Sequence, residues 1–351
     1  MAANLQEAAS TTTETTASFD EGRIKRISAA IRAEEARLRL KYPMLKHQDA
    51  IGVSILLVSL SGMIASGYLY IVGVLPAYLS IPLSALFASL SHELEHDLIH
   101  RLYFRRNLAL QNFMMLVVWV MRPNTVNPWY RRDIHFLHHK VSGTPQDLEE
   151  RLVGNGVGNL LTRCIVMADG LLGILVRIRV LNAENRRFNF FEILNAGFPF
   201  ATLYFATWYV FLLYHGAMLA GTALGMPLPV PALVAEAMSI VNVLVVVLIA
   251  PNVLRSFCLN LVTSYMHYYG GVNTLMQQTQ ILRPWFLLPA QLFCFNFGST
   301  HAIHHFVVSQ PFYLRQMVAG VAHKAMRANG VRYNDFSTFS GDNRYYPAET
   351  G

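Results

Sequence analysis

The sequence predicts an all-helical integral membrane protein in which four transmembrane helices anchor a cytoplasmic helical cap that holds a histidine-rich di-metal site. Three observations predict it. Hydrophobic residues make up 53% of the 351 positions and charged residues only 14%, against roughly 25% charged in an average soluble domain. Uncharged stretches are long enough to cross a bilayer. The histidines, 13 in all, are grouped rather than scattered.

A helix needs about 20 apolar residues to span the hydrocarbon core. Between Ile51 and Ser91 there is no Asp, Glu, Lys, Arg or His; between Ile193 and Ala235 only His215 occurs; between Ala237 and Leu254 there is none. The first stretch holds two crossings, turning near Gly73 and Pro76. The other two hold one each, joined across Gly221, Gly225, Pro227, Pro229 and Pro231. The expected spans are 51–74, 77–98, 194–219 and 233–256. The 28 Lys and Arg fall in three blocks, eight before the first span, thirteen between Arg101 and Arg187, and seven from Arg255 onward. Neither hairpin loop has any. The positive-inside rule then places both termini and the middle segment in the cytoplasm, as for a bacterial inner-membrane protein. The net charge of +7 is this topology signal together with attraction to anionic membrane lipids, and implies no nucleic-acid partner. Cys164, Cys258 and Cys294 are far apart in apolar surroundings and read as small hydrophobes.

Three regions are expected. Residues 1–47 form a cytoplasmic N-terminal segment, disordered over the Thr/Ser-rich start and helical over 22–41. There Ile24, Ile27, Ile31 and Leu38 share a face, suited either to the membrane surface or to packing on the cap. Residues 48–310 form the membrane domain, and 311–351 a cytoplasmic tail. The apolar segment 107–121 is too short for a crossing and reads as interfacial or re-entrant. Segments 155–180 and 281–297, interrupted or bounded by Arg163, Arg177, Arg179 and Arg283, are expected on the membrane surface.

The histidine spacing is specific. His92 and His96 are four apart; His135, His138 and His139 follow i, i+3, i+4; His301, His304 and His305 repeat that spacing. Residues three and four apart share a helix face, so each group presents two or three imidazoles in one direction, and imidazole is a favoured ligand of Fe, Zn, Cu and Ni. One zinc site uses three or four protein ligands. Eight such histidines, with His267 just beyond the fourth span as a ninth, exceed that and point to two metals. His100, four beyond His96, reads as a catalytic base beside the ligands, an alternative ligand or polar helix surface. Ligating histidines usually donate their other N–H to a carboxylate or carbonyl, a role open to Glu93, Glu95, Asp97 and Asp133.

The pattern HxxxH, HxxHH, HxxHH with a ninth histidine after the fourth span resembles the membrane-bound fatty acid desaturase and alkane hydroxylase superfamily over roughly residues 48–310. The resemblance implies two Fe ions held by His92, His96, His135, His138, His139, His267, His301, His304 and His305, with O2 as co-substrate. It also implies a fatty acid or acyl lipid substrate, and electrons from a separate carrier such as ferredoxin and its reductase. One departure is Thr263, where some desaturases carry an asparagine four residues before the ninth histidine; the nearest here is Asn260. The expected reaction is formation of a C=C bond in a fatty acyl chain. The stretches His92–Asp97 and Lys140–Arg151 are similar to a bacterial branch that decarboxylates free medium-chain fatty acids to 1-alkenes, which keeps that reaction as an alternative. An alkyl-chain hydroxylase is a further one. A metal transporter or receptor would place ionisable groups inside the spans, where only His215 and Glu236 occur, and a zinc hydrolase would leave six histidines without a role.

Overall fold

A computed structural model of the chain describes residues 2–339 and 343–346, with side chains from Phe19 onward. Among these residues there is no strand, only isolated bridges between His267 and Thr279 and between Ile281 and Tyr333. In chain order the helices are α1 (Ala2–Lys41), α2 (Gln48–Ile71), α3 (Ala77–Ile99), α4 (Leu108–Met121) and α5 (Pro128–Val141). They continue as α6 (Leu148–Leu152), α7 (Leu160–Ala168), α8 (Gly170–Glu184), α9 (Phe190–Gly197), α10 (Phe200–Ala223) and α11 (Ala232–Leu244). A π-helical turn at Val245–Ile249 joins α11 to α12 (Ala250–Met266), and α13 (Leu288–Leu292), α14 (Phe297–Phe306) and α15 (Phe312–Ala328) follow. Residues 1–20, expected to be disordered, are from Ala2 onward the start of helix α1, with side chains described from Phe19.

Among the described residues, three helices are long and apolar enough to cross a membrane: α2, α10 and the continuous Ala232–Met266. Of the four expected spans, the second does not qualify by composition. Its helix, α3, has 23 residues, but its last turns carry His92, Glu93, Glu95, His96 and Asp97, all buried inside protein. Small residues let α2 approach α3 closely, as is usual between membrane helices. The Ser59 hydroxyl donates to Phe87 O at 2.5 Å. A Cβ at Gly62 would sit 2.4 Å from the Phe87 ring, so only glycine fits there.

Two of the apolar cores position the site. In one, α4 sets Met114, Met115 and Val118 with Leu94 and Leu98 of α3, while Leu108, Phe113, Leu116 and Val120 face outward. In the other, Ile27, Ile31 and Leu38 of α1 are buried with Leu314, Val318, Ala322 and Met326 of α15. The α1 apolar stripe therefore packs on α15. The segment after residue 310, expected as a separate tail, packs into the body: Arg315 of α15 donates to Glu93 at 3.1 Å and to Asp97 at 3.2 Å, both on α3.

Helices α7 and α8 have inverted polarity. Leu160, Leu161, Leu172, Val176 and Val180 are exposed, and of the three arginines Arg163 and Arg177 turn inward while Arg179 stays exposed. Arg163 donates to Ser264 O at 2.7 Å and Arg177 to Arg151 O at 2.8 Å. Guanidinium groups sealed on carbonyls beneath an outward apolar face suit a lipid-contacting surface.

Candidate metal centre

Four elements bring the histidines together. The end of α3 supplies His92 and His96, with His100 at its C-cap. Helix α5 starts at Asn127, whose side chain accepts from Tyr130 N at 2.8 Å. Pro128 at its first position costs no hydrogen bond there, and the spacing of His135, His138 and His139 then turns all three to one side. The short buried helix α14 carries His301, His304 and His305. His267 is the residue at which α12 ends: its backbone is extended (φ −94°, ψ 141°), so its ring leaves the helix axis toward the other groups.

The nitrogens fall into two clusters. One ligand atom from each of His96, His100, His135 and His304 lies within 4.8 Å of the others, and the same holds for His138, His267, His301 and His305. His139 joins the first cluster, its Nε2 being 3.2 Å from that of His135 and 3.0 Å from that of His304. His100 Nε2 is 2.9 Å from His135 Nε2, and His305 Nε2 is 3.2 Å from His301 Nε2. Two nitrogens at roughly 2.1 Å from one ion and at right angles are about 3 Å apart, so this crowding of Nε2 atoms is the arrangement of imidazoles around a cation. His96, His138 and His267 are buried with no hydrogen-bond partner at Nε2, an orphaned state that a metal relieves. The residues fit the two ions that the spacing predicts.

The opposite ring nitrogens are held. His135 Nδ1 meets Glu149 Oε2 at 2.6 Å and His138 Nδ1 meets Asp147 Oδ2 at 2.8 Å. His267 Nδ1 is 2.9 Å from Thr263 O and 3.2 Å from Glu150 Oε2, and His305 Nδ1 is 2.9 Å from Gln278 Oε1. Acceptors at Nδ1 put the proton there and free Nε2 to ligate. Burial opposes charge on His138, but Asp147, Glu150 and Glu149 together outweigh it and hold the ring up at about 10, so a metal taking Nε2 displaces a proton from it. Burial, reinforced by His135 and His138, pushes His139 well below the usual range.

These acids are not the ones expected. Glu93 and Asp97 are spent on Arg315, Asp97 also accepting from Tyr103 Oη and Phe312 N, both at 3.0 Å. Glu95 pairs with Arg122 and Arg131, and Asp133 is exposed. The orienting carboxylates are Asp147, Glu149 and Glu150, from the turn after α5 and from α6. The signal that finds them is an acidic run placed one loop beyond the second histidine group and capped by its own Asp147, which accepts from Glu150 N at 3.2 Å.

Of the ten histidines singled out from the sequence, nine enter a cluster and His92 does not. Its nearest ring is Phe297, at 6.2 Å, and its Nδ1 is 3.2 Å from Arg122 Nη1 and 3.5 Å from Arg131 Nη1. Arginine only donates, so Nδ1 must accept and the proton sits on Nε2, the reverse of the clustered histidines with a carboxylate at Nδ1. The HxxxH pair that reaches the centre is His96 with His100, one helical turn later than expected.

No curated protein gives a significant match to the chain. The family described as fatty acid desaturase matches residues 72–337, well over half the length and all of the clustered histidines. The chain therefore belongs to the fatty acid desaturase family, membrane-bound di-iron oxidoreductases of lipid metabolism.

Proposed function

We propose that the protein forms a C=C bond in a fatty acyl chain, holding one iron on His96, His100, His135, His139 and His304 and a second on His138, His267, His301 and His305. The observation that carries this is the pair of imidazole clusters. His92 leaves the ligand set, and His100 enters it instead of acting as a separate base. When bound, two irons supply the reduction of O2 that makes an unactivated C–H bond reactive. The balance is a saturated chain, O2, two electrons and two protons giving an alkene and two waters. The electrons come from a separate ferredoxin-type carrier, in keeping with a site built only of histidines and carboxylates. Asp147, Glu149 and Glu150 fix the ligand rings, and the buried Arg315–Glu93–Asp97 group ties α15 to the end of α3 that bears the first ligands.

The topology proposed with this reading makes α3 a fourth crossing whose polar end enters the cap, with both termini and the histidines on the cytoplasmic side of a bacterial inner membrane. The three basic blocks support it. The test is to purify the protein from iron-replete cells, count metal, and supply fatty acids, reductase, ferredoxin and O2. About two irons per chain and an alkene of unchanged carbon number are expected. A 1-alkene one carbon shorter moves the reaction to oxidative decarboxylation, an alcohol moves it to hydroxylation, and full activity with one zinc and no iron overturns the reading.

A further inference from the structure

A cavity of about 390 Å³ opens between α7, α8, α10 and α12, within the size range of small-molecule pockets. Most of its wall is apolar, from residues such as Met167, Leu171, Ile174, Phe205 and Trp208. Polar groups also line it: Arg131 against His92 and Glu149, Arg255 against Asn124 and Ser256, and Asp169, which accepts from Tyr209 Oη. The Arg131 group adjoins the first histidine cluster. Glu149 holds His135, and Arg131 and His92 each stand one helical turn before a clustered histidine.

Two buried donors of this lining lack an anionic partner. Arg255 is 1% exposed, and its side-chain partners are neutral: Ser256 Oγ at 2.8 Å, and Asn252 Oδ1 and Asn124 Oδ1 both at 3.4 Å. Neighbouring buried arginines are matched, Arg122 by Glu95, Arg131 by Glu95 and Glu149, and Arg315 by Glu93 and Asp97. Three guanidinium groups, Arg122, Arg131 and Arg255, thus share two carboxylates, and one of those is also held by His135. A buried charge without a counter-charge is costly. The second donor is His92. With Nδ1 facing two guanidinium groups, the proton is on Nε2, which is buried and has no partner.

We propose that Arg255 and His92 Nε2, with Arg131 beside them, form a head-group site for the ionised carboxylate of a free fatty acid whose alkyl chain fills the apolar part of the cavity. A carboxylate accepts from both groups and supplies the missing negative charge. Esters and alcohols fit the same walls but leave Arg255 uncompensated. The inference rests on the reading above only in taking a fatty acyl chain as the substrate.

Binding is measured on the iron-loaded, full-length protein under argon without reductant, so that no turnover is required. Decanoate, methyl decanoate, decanol and acetate are titrated calorimetrically. Decanoate binds about ten-fold or more tighter than the ester or the alcohol, since loss of a buried charged partner costs at least that much; acetate, lacking the chain, binds weakest. Arg255→Met removes the preference for the acid while the affinity for methyl decanoate is retained. Asn124→Asp, nearly isosteric and already 3.4 Å from Arg255, supplies the carboxylate from within and removes the preference without deleting the arginine. Equal binding of acid and ester by the unmodified protein overturns the proposal, as does an unchanged preference in Asn124→Asp. Binding as expected with no oxidation of any fatty substrate instead overturns the proposed function and leaves the head-group site standing.

Discussion

The two histidine clusters are built on different plans. In the second, His138, His267, His301 and His305 are all buried, and three of them have an acceptor fixed at Nδ1: Asp147, Thr263 O with Glu150, and Gln278. In the first, only His135 has such a carboxylate, while His100 and His139 are half-buried and rest mainly on their histidine neighbours. The second cluster is the more firmly pre-organised; the first rests largely on contacts among its own histidines. The first is also the one beside the cavity. A more open, less tethered site next to the substrate space and a closed one behind it is the division expected when only one of two metals must admit a ligand.

Six variants test this contrast. The largest effect is expected from His305→Ala. It removes an imidazole from the closed site, which has no spare histidine, so activity falls to background and iron drops from about two to about one per chain, measured by elemental analysis. Next are His100→Ala and His92→Ala, compared side by side. His100→Ala loses iron from the first site and with it activity. His92→Ala keeps about two irons, although its substrate affinity weakens; the opposite pattern of iron contents restores the earlier histidine frame. Smaller is Asp147→Asn, which keeps shape but removes the charge acceptor at His138. Metal affinity is expected to weaken by about 10–100-fold in chelator competition, and Glu149→Gln to act in the same direction at the other site. Identical chelator resistance in Asp147→Asn and the unmodified protein breaks the contrast in pre-organisation. The smallest effect on activity is that of Ile31→Ala. It opens a void between α1 and α15, lowering stability by about 2–5 kcal/mol, read as a lower melting temperature with iron content unchanged.

Much of this was legible in one dimension because the physics there is local. Membrane helices announce themselves by uninterrupted apolarity, and HxxHH sets three imidazoles on one helix face wherever that helix lies. What failed to read was each choice between equal local patterns. His92, His96 and His100 form two overlapping HxxxH pairs on one stripe of α3, and nothing within the stripe says where the chain is cut by the cap. The acids beside the first group were expected to orient ligands, yet Arg315, more than two hundred residues away, claims Glu93 and Asp97.

The apolar spans, the basic blocks between them and a supply of histidines sufficient for two metals are written in the chain order alone, since each depends on composition or on residues within one or two helical turns. Folding was needed to show which nine histidines converge, that Asp147, Glu149 and Glu150 meet His138, His135 and His267, that α1 buries its stripe on α15, and that Arg255 is left without a counter-charge beside a cavity. Those outcomes depend on which distant groups arrive at the same place. An imidazole takes its role, ligand or donor, from whether the group at its other nitrogen accepts or gives a proton.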